Sequence, residues 1–242
     1  MKKTLIALMA LAGAAFGADY TIDNAETVWT LNFGSAYTNG YELTGTMAKQ
    51  GTFWDTDKTA VDGGSQSNSS QRVHMAGGIY GSWDEDFVFT MNVTLGDTIS
   101  ASKQWPVFGE IKGNGTALRF GPYTNVNNTV SLDGVNVTKG TNNLVSVEAG
   151  ETYTITLTKI GKDVTVAVNG EISGYGTLAD SVSGNITDIA LGGNTGSDYR
   201  INEVVHSISW TKLTVTPTVP EPTTATLSLL ALAGLAARRR RK

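Results

Sequence analysis

Apolar and polar residues alternate with a period of two along most of the chain, and no window of about 11 residues sustains the i, i+3, i+4 spacing of an amphipathic helix. FVFTMNV (residues 87–93) sets Phe87, Phe89, Met91 and Val93 on one face, because successive side chains of a strand point to opposite sides. YTITLT (153–158) and VTVAV (164–168) are joined by a short Gly-containing connection and predict an antiparallel hairpin. Asn169-Gly170 predicts a further tight turn, with residues 171–173 as the return strand. Other strands are expected at 28–33, 41–46, 107–111, 117–120, 129–132, 186–191 and 207–215. Turn signals recur roughly every 8–12 residues, the spacing of a sandwich or barrel. The abundant Thr suits the solvent-facing side of such strands. GGSQSNSS (63–70) reads as a loop.

The two ends break this pattern. MKK followed by the apolar run 4–16 has the form of a cleaved export signal. Ala15 and Gly17 stand at the −3 and −1 positions for cleavage before Ala18, and cleavage before Asp19 is nearly equivalent. Its 13 apolar residues are too few for a helix to cross ~30 Å of hydrocarbon. At the other end, LSLLALAGLAA (227–237) precedes Arg238, Arg239, Arg240, Arg241 and Lys242. That is a membrane stop with its basic cluster held on the cytoplasmic side. Pro220 and Pro222 keep Glu221 and its neighbours extended, because each proline fixes its own φ and disfavours helix before it.

Pro220-Glu221-Pro222, the apolar run and the terminal arginines resemble, in that order, the PEP-CTERM sorting signal of Gram-negative bacteria. The resemblance implies recognition of the triplet by an exosortase, transient insertion in the inner membrane and transfer towards the cell surface or an extracellular matrix. Inside the chain, GETYTITLTKIGKDVTVAVNGEISG (150–174) resembles the hairpin of LamG-like, concanavalin A-like domains. DIALGGNTGSDYRINEVVHSISWTKL (188–213) is similar to their closing element, although Tyr199, Arg200 and Asn202 stand where that element often has Gly and Asp. The fold implied is an all-β, antiparallel jelly-roll sandwich, flanked by an N-terminal signal helix and a short C-terminal apolar helix. A β-helix and an immunoglobulin-like sandwich are the alternatives. The division is then residues 1–18 as signal, 19–216 as one LamG-like domain and 217–242 as sorting signal.

Charge narrows the partners. Lys2, Lys3, Arg238 to Arg241 and Lys242 account for seven of the 18 Lys and Arg, so residues 19–220 keep 11 basic against 21 acidic residues, a net charge near −10. Such a surface repels nucleic acid, whose phosphates need clustered cations. The chain has no Cys, so disulfides and thiolate-held metals are excluded.

Candidate chemistry is sparse. Glucanases of this fold hold two carboxylates close on one strand, but no E-x-D-x-E spacing occurs, and Asp84-Glu85-Asp86 reads as the solvated start of a strand. His74 and His206 have neither a G-x-S-x-G elbow nor an H-E-x-x-H partner. DTDKT (55–59) begins like a calcium loop, but Ala60 and Gln66 stand where Gly and Glu are required. No cofactor is assigned on this basis, and calcium held by separate loops stays open. For carbohydrate, Trp83, Trp105 and Tyr123 are candidate ring platforms, with Asn125 and Asn127 as polar partners. The expectation is a non-catalytic, exported cell-surface protein that binds glycans or glycoproteins. A structural envelope or matrix protein is the alternative, and a glycoside hydrolase comes third.

Overall fold

The alternation that begins at Phe87 runs on to Leu95, and Phe87, Phe89, Met91, Val93 and Leu95 are all buried in one core. The structure is a computed structural model that describes residues 20–33, 41–44, 53–54, 73–76, 81–99, 109–123, 128–142, 144–191 and 201–217. Their regular elements are strands: β1 (Tyr20–Phe33), β2 (Tyr41–Thr44), β3 (Phe53–Trp54), β4 (Val73–Ala76), β5 (Asp86–Ile99), β6 (Gly109–Gly113) and β7 (Thr116–Tyr123). The series continues with β8 (Thr129–Val135), β9 (Val137–Lys139), β10 (Thr152–Ile160), β11 (Asp163–Val168), β12 (Glu171–Leu178), β13 (Asp188–Leu191) and β14 (Ile201–Pro217). The signal and tail segments, with the helices expected there, lie outside the described residues.

The described strands form an eight-stranded sheet, β2-β1-β14-β5-β10-β11-β12-β9, and a six-stranded sheet, β3-β4-β13-β6-β7-β8. Pairing is antiparallel throughout. Ile155, Leu157, Val164, Val166, Ile208 and Trp210 of the first sheet share a core with Ile111, Leu118, Phe120, Val130, Leu132 and Ile189 of the second. Each such side chain taken out of water stabilises the fold by about 1.5–3 kcal/mol. The chain is therefore the antiparallel jelly-roll sandwich that its sequence predicts.

The hairpin at residues 153–168 closes through Gly161 and Lys162, with Ile160 opposite Asp163. Asn169 (φ 49°) and Gly170 (φ 92°) both adopt the left-handed conformation that a two-residue hairpin turn requires. Asn114 (φ 47°) and Gly115 (φ 75°) repeat this device between β6 and β7. Three differences from the sequence reading are instructive. β1 begins at Tyr20, eight residues before the expected strand, because its polar first half pairs with the end of β14. β12 runs to Leu178 through Gly174 and Gly176, residues that weaken any strand signal. Thr156, Thr158 and Thr165 are buried instead of exposed. They sit in the middle of the wider sheet, where strands on both sides cover their flanks.

Candidate functional site

The expected ring platforms part company in the structure. Trp83 is 2% exposed, packs in the core and donates its indole N–H to the Gly113 carbonyl at 3.0 Å. A ring enclosed in this way has no free face for a sugar, which corrects its assignment as a binding residue. Tyr123 ends β7 opposite Thr129, and its side chain lies outside the described residues, as do Trp105, Asn125 and Asn127. The PEP triplet and Arg238 to Arg241 also fall outside them.

A polar row crosses the outer face of the six-stranded sheet at positions the sequence reading did not single out. Ala190 pairs with Glu110, Glu110 with Arg119 and Arg119 with Asp133, and on the other side Ala190 is opposite His74. Glu110, Arg119 and Asp133 alternate with Ile111, Leu118, Phe120 and Leu132, whose side chains fill the core, so these three face outward. Glu110 is nonetheless 1% exposed. Its carboxylate accepts from Arg119 Nε at 2.7 Å and pairs with Lys112 Nζ at 2.8 Å. A buried carboxylate needs such partners, because leaving it unpaired costs several kcal/mol. Asp133, also buried, is paired with Lys139 of β9. Arg119 itself is one-third exposed. Held through Nε, it keeps its terminal N–H donors for other acceptors. Gly121 and Ser131, the next outward pair, add no bulk beside it.

The edge of this sheet is closed by residues 140–142 and 144–147. Asn142 donates its amide N–H to the Leu132 carbonyl at 3.2 Å and accepts the Leu132 N–H at 3.0 Å, so one side chain pairs as a strand residue would. Val130 N–H donates to the Val145 carbonyl at 2.8 Å, while Leu144 N–H and Tyr175 N–H reach across to β12 and back. Gly174 permits this packing: a Cβ there would lie 2.0 Å from Asn142 Oδ1. The closure secures β8 and with it Asp133.

The outer face of the eight-stranded sheet is tied to itself. Asn92 donates to Ser207 Oγ at 2.7 Å and accepts from Thr154 Oγ1 at 2.8 Å, and Thr94 Oγ1 contacts both Thr152 Oγ1 and His206 Nε2 at 2.7 Å. At its end the three acids of residues 84–86 are all engaged. Asp84 accepts the Gly184 N–H at 2.9 Å, Glu85 pairs with Lys212 at 2.5 Å and Asp86 accepts the Gly161 N–H at 2.6 Å. The buried Lys159 ammonium donates to the Glu85 carbonyl at 2.8 Å and lies 3.6 Å from Asp86. Loss of hydration pushes Lys159 below its ordinary value, against the opposing pull of Asp86. The hydrogen bond and charge of Glu85 raise Lys212. Among the described residues, no three His, Asp or Glu side chains gather as a metal would require.

A Trypanosoma rangeli sialidase in complex with 2,3-difluorosialic acid is similar in structure, with 14% identity, a TM-score of 0.50 and alignment over 86% of this chain and 35% of the sialidase. Domain 4 of a GH43 extracellular arabinanase from Geobacillus stearothermophilus, in complex with arabinotriose, matches at 14% identity and a TM-score of 0.45, over 79% of this chain and 96% of that domain. A Caenorhabditis elegans galectin matches at 12% identity and a TM-score of 0.39, over 60% and 94%. The alignments span between 20% and 35% of the length of the sialidases that this chain matches. These likenesses concern the fold alone. No curated protein matches the sequence. Residues 218–242 match the PEP-CTERM protein-sorting motif, which implies an exported chain that an exosortase processes at the membrane on its way to the cell surface.

Proposed function

We propose that the chain is the precursor of a surface protein whose LamG-like sandwich, residues 19–216 between a cleaved signal and the sorting segment, binds glycans without catalysis. The binding face is the outer side of the six-stranded sheet. The observation that carries this reading is Arg119, one-third exposed and fixed through Nε by the buried Glu110. A guanidinium held in this way offers its terminal N–H donors to the hydroxyl and ring oxygens of a sugar. Side chains already locked by ion pairs lose little rotamer freedom on binding. Both carboxylates of the row are paired with cations, whereas a retaining glycosidase needs one protonated acid and one nucleophile roughly 5–5.5 Å apart.

The test is a glycan and mucin-type glycoprotein panel probed with the exported protein, with calcium and with chelator. Saturable binding that Arg119→Met abolishes while the fold survives supports the reading, and sensitivity to chelator would add calcium to the site. Absence of binding under every condition favours the second reading, a structural envelope or matrix protein. The self-bonded Thr, Ser and Asn face of the eight-stranded sheet is what speaks for that alternative.

A further inference from the structure

We infer that the paired ends of β1 and β14 form a gate that limits exosortase access to the sorting triplet, an inference that rests on the exosortase reading of residues 218–242. β14 runs to Pro217, where the sorting segment begins. Val215, Thr216 and Pro217 pair directly with Ile22, Thr21 and Tyr20. The ladder is fastened at two points. Asp23, the extra residue of a bulge between Ile22 and Asn24, accepts a hydrogen bond from Thr216 Oγ1 at 2.6 Å. Tyr20, Ile22 and Val215 also pack on the outer face of the sheet against Val88, Ile160 and Leu213, which form a small apolar cluster separate from the main core.

Only Thr218 and Val219 separate this ladder from Pro220. At ~3.3–3.6 Å per extended residue, the triplet can begin no more than about 10 Å beyond the last paired residue. A protease cleft grips an extended peptide over several residues, much as a sheet edge takes up a strand. To seat Pro220, Glu221 and Pro222, such a cleft must either come against the folded sheet or draw residues 215–217 away from β1. The second course breaks the Asp23 hydrogen bond and uncovers the apolar cluster, so it requires local opening of the domain. Processing is then coupled to the state of the N-terminal strand: while Tyr20 to Ile22 are paired, the tail is held back.

The gate can be locked. The chain has no Cys of its own, and Thr21 and Thr216 are exposed and directly opposite one another. Combining Thr21→Cys with Thr216→Cys in the full chain lets a disulfide close the ladder across one antiparallel pair. Exported beside an exosortase and followed by intact mass, the oxidised pair should lose its tail about tenfold more slowly than either single variant, and reductant should restore the rate. A flexible Gly-Ser insertion of about ten residues after Pro217 moves the triplet clear of the sheet and should restore processing with the lock still closed. Processing of the locked chain at the wild-type rate overturns the gate, as does an insertion that fails to rescue it. A tail retained in every variant, the unlocked chain with the insertion included, overturns the sorting-signal reading and the gate together.

Discussion

Phe87 and Trp210 lie face to face across neighbouring strands, their ring centroids 4.0 Å apart and their planes 28° from parallel. Trp210 also stacks on Trp29 at 6.2 Å, and Phe89 tilts against it at 6.4 Å. One indole therefore joins β1, β5 and β14 in the cysteine-free core. Trp210→Ala should cost about 3–5 kcal/mol in urea unfolding, as large-to-small changes at aromatic core sites do. Gly81 makes room for the same ring: a Cβ there would stand 2.6 Å from Trp210 Cζ2, at a φ of 141°. Gly81→Ala should therefore destabilise by more than about 1 kcal/mol.

Two buried tryptophans should respond differently to the same change. Trp83 Nε1 has an acceptor in the Gly113 carbonyl, while Trp29 Nε1 is buried with no partner among the described residues. Trp83→Phe strands a buried carbonyl and should lose about 1–3 kcal/mol beyond its packing change, whereas Trp29→Phe removes an unsatisfied donor and avoids that penalty. Paired urea titrations of the two variants measure the difference. Equal losses would refute it.

Lys159 predicts a dependence on alkaline pH. Its pKa is lowered in the folded chain from the ordinary 10.5, chiefly by lost hydration. Between the lowered value and 10.5 the unfolded chain binds more protons, so stability should rise with pH through that window. Below the window both states carry the charge and the penalty is constant. Lys159→Met abolishes this term, so the wild type should gain on the variant as pH climbs towards 10.5. A difference that stays flat, or falls, would contradict the assignment.

Asn142→Ala should cost about 1–3 kcal/mol, because it leaves both polar groups of Leu132 without their side-chain partner. It also opens the β8 edge, and exposed edges pair with other chains. Analytical ultracentrifugation should show self-association that the wild type lacks.

Glu110→Gln removes the charge that holds Arg119 and Lys112. Thermal unfolding should fall by several degrees, as the loss of one partner from a buried ion pair implies. On the glycan panel the same variant should bind more weakly than wild type, because Arg119 is no longer fixed.

Much of the sandwich was legible in the sequence because alternation survives wherever one face of a strand is buried. The run from Phe87 to Val93 and the hairpin around Gly161 follow from local pattern and turn chemistry alone. The polar row could have been read as well. A two-residue turn at Asn114-Gly115 sets Gly113 opposite Thr116, and counting back sets Glu110 opposite Arg119. That signal lies between the strands expected at 107–111 and 117–120, and the turn is what fixes their register. Trp83 was not legible: its burial depends on a carbonyl thirty residues away and on strands from both sheets. The buried Thr residues were hidden for a similar reason, since local sequence does not reveal how many strands will flank a third.

β14 pairs with β1 on one side and β5 on the other along most of its seventeen residues. A tether joined beyond Pro217 and pulled lengthwise would load both ladders in shear, so that many rungs share the force together. Peeling sideways, as a protease would, meets only the last rungs one at a time. A surface protein held through this strand would resist drag along the direction in which its tether pulls.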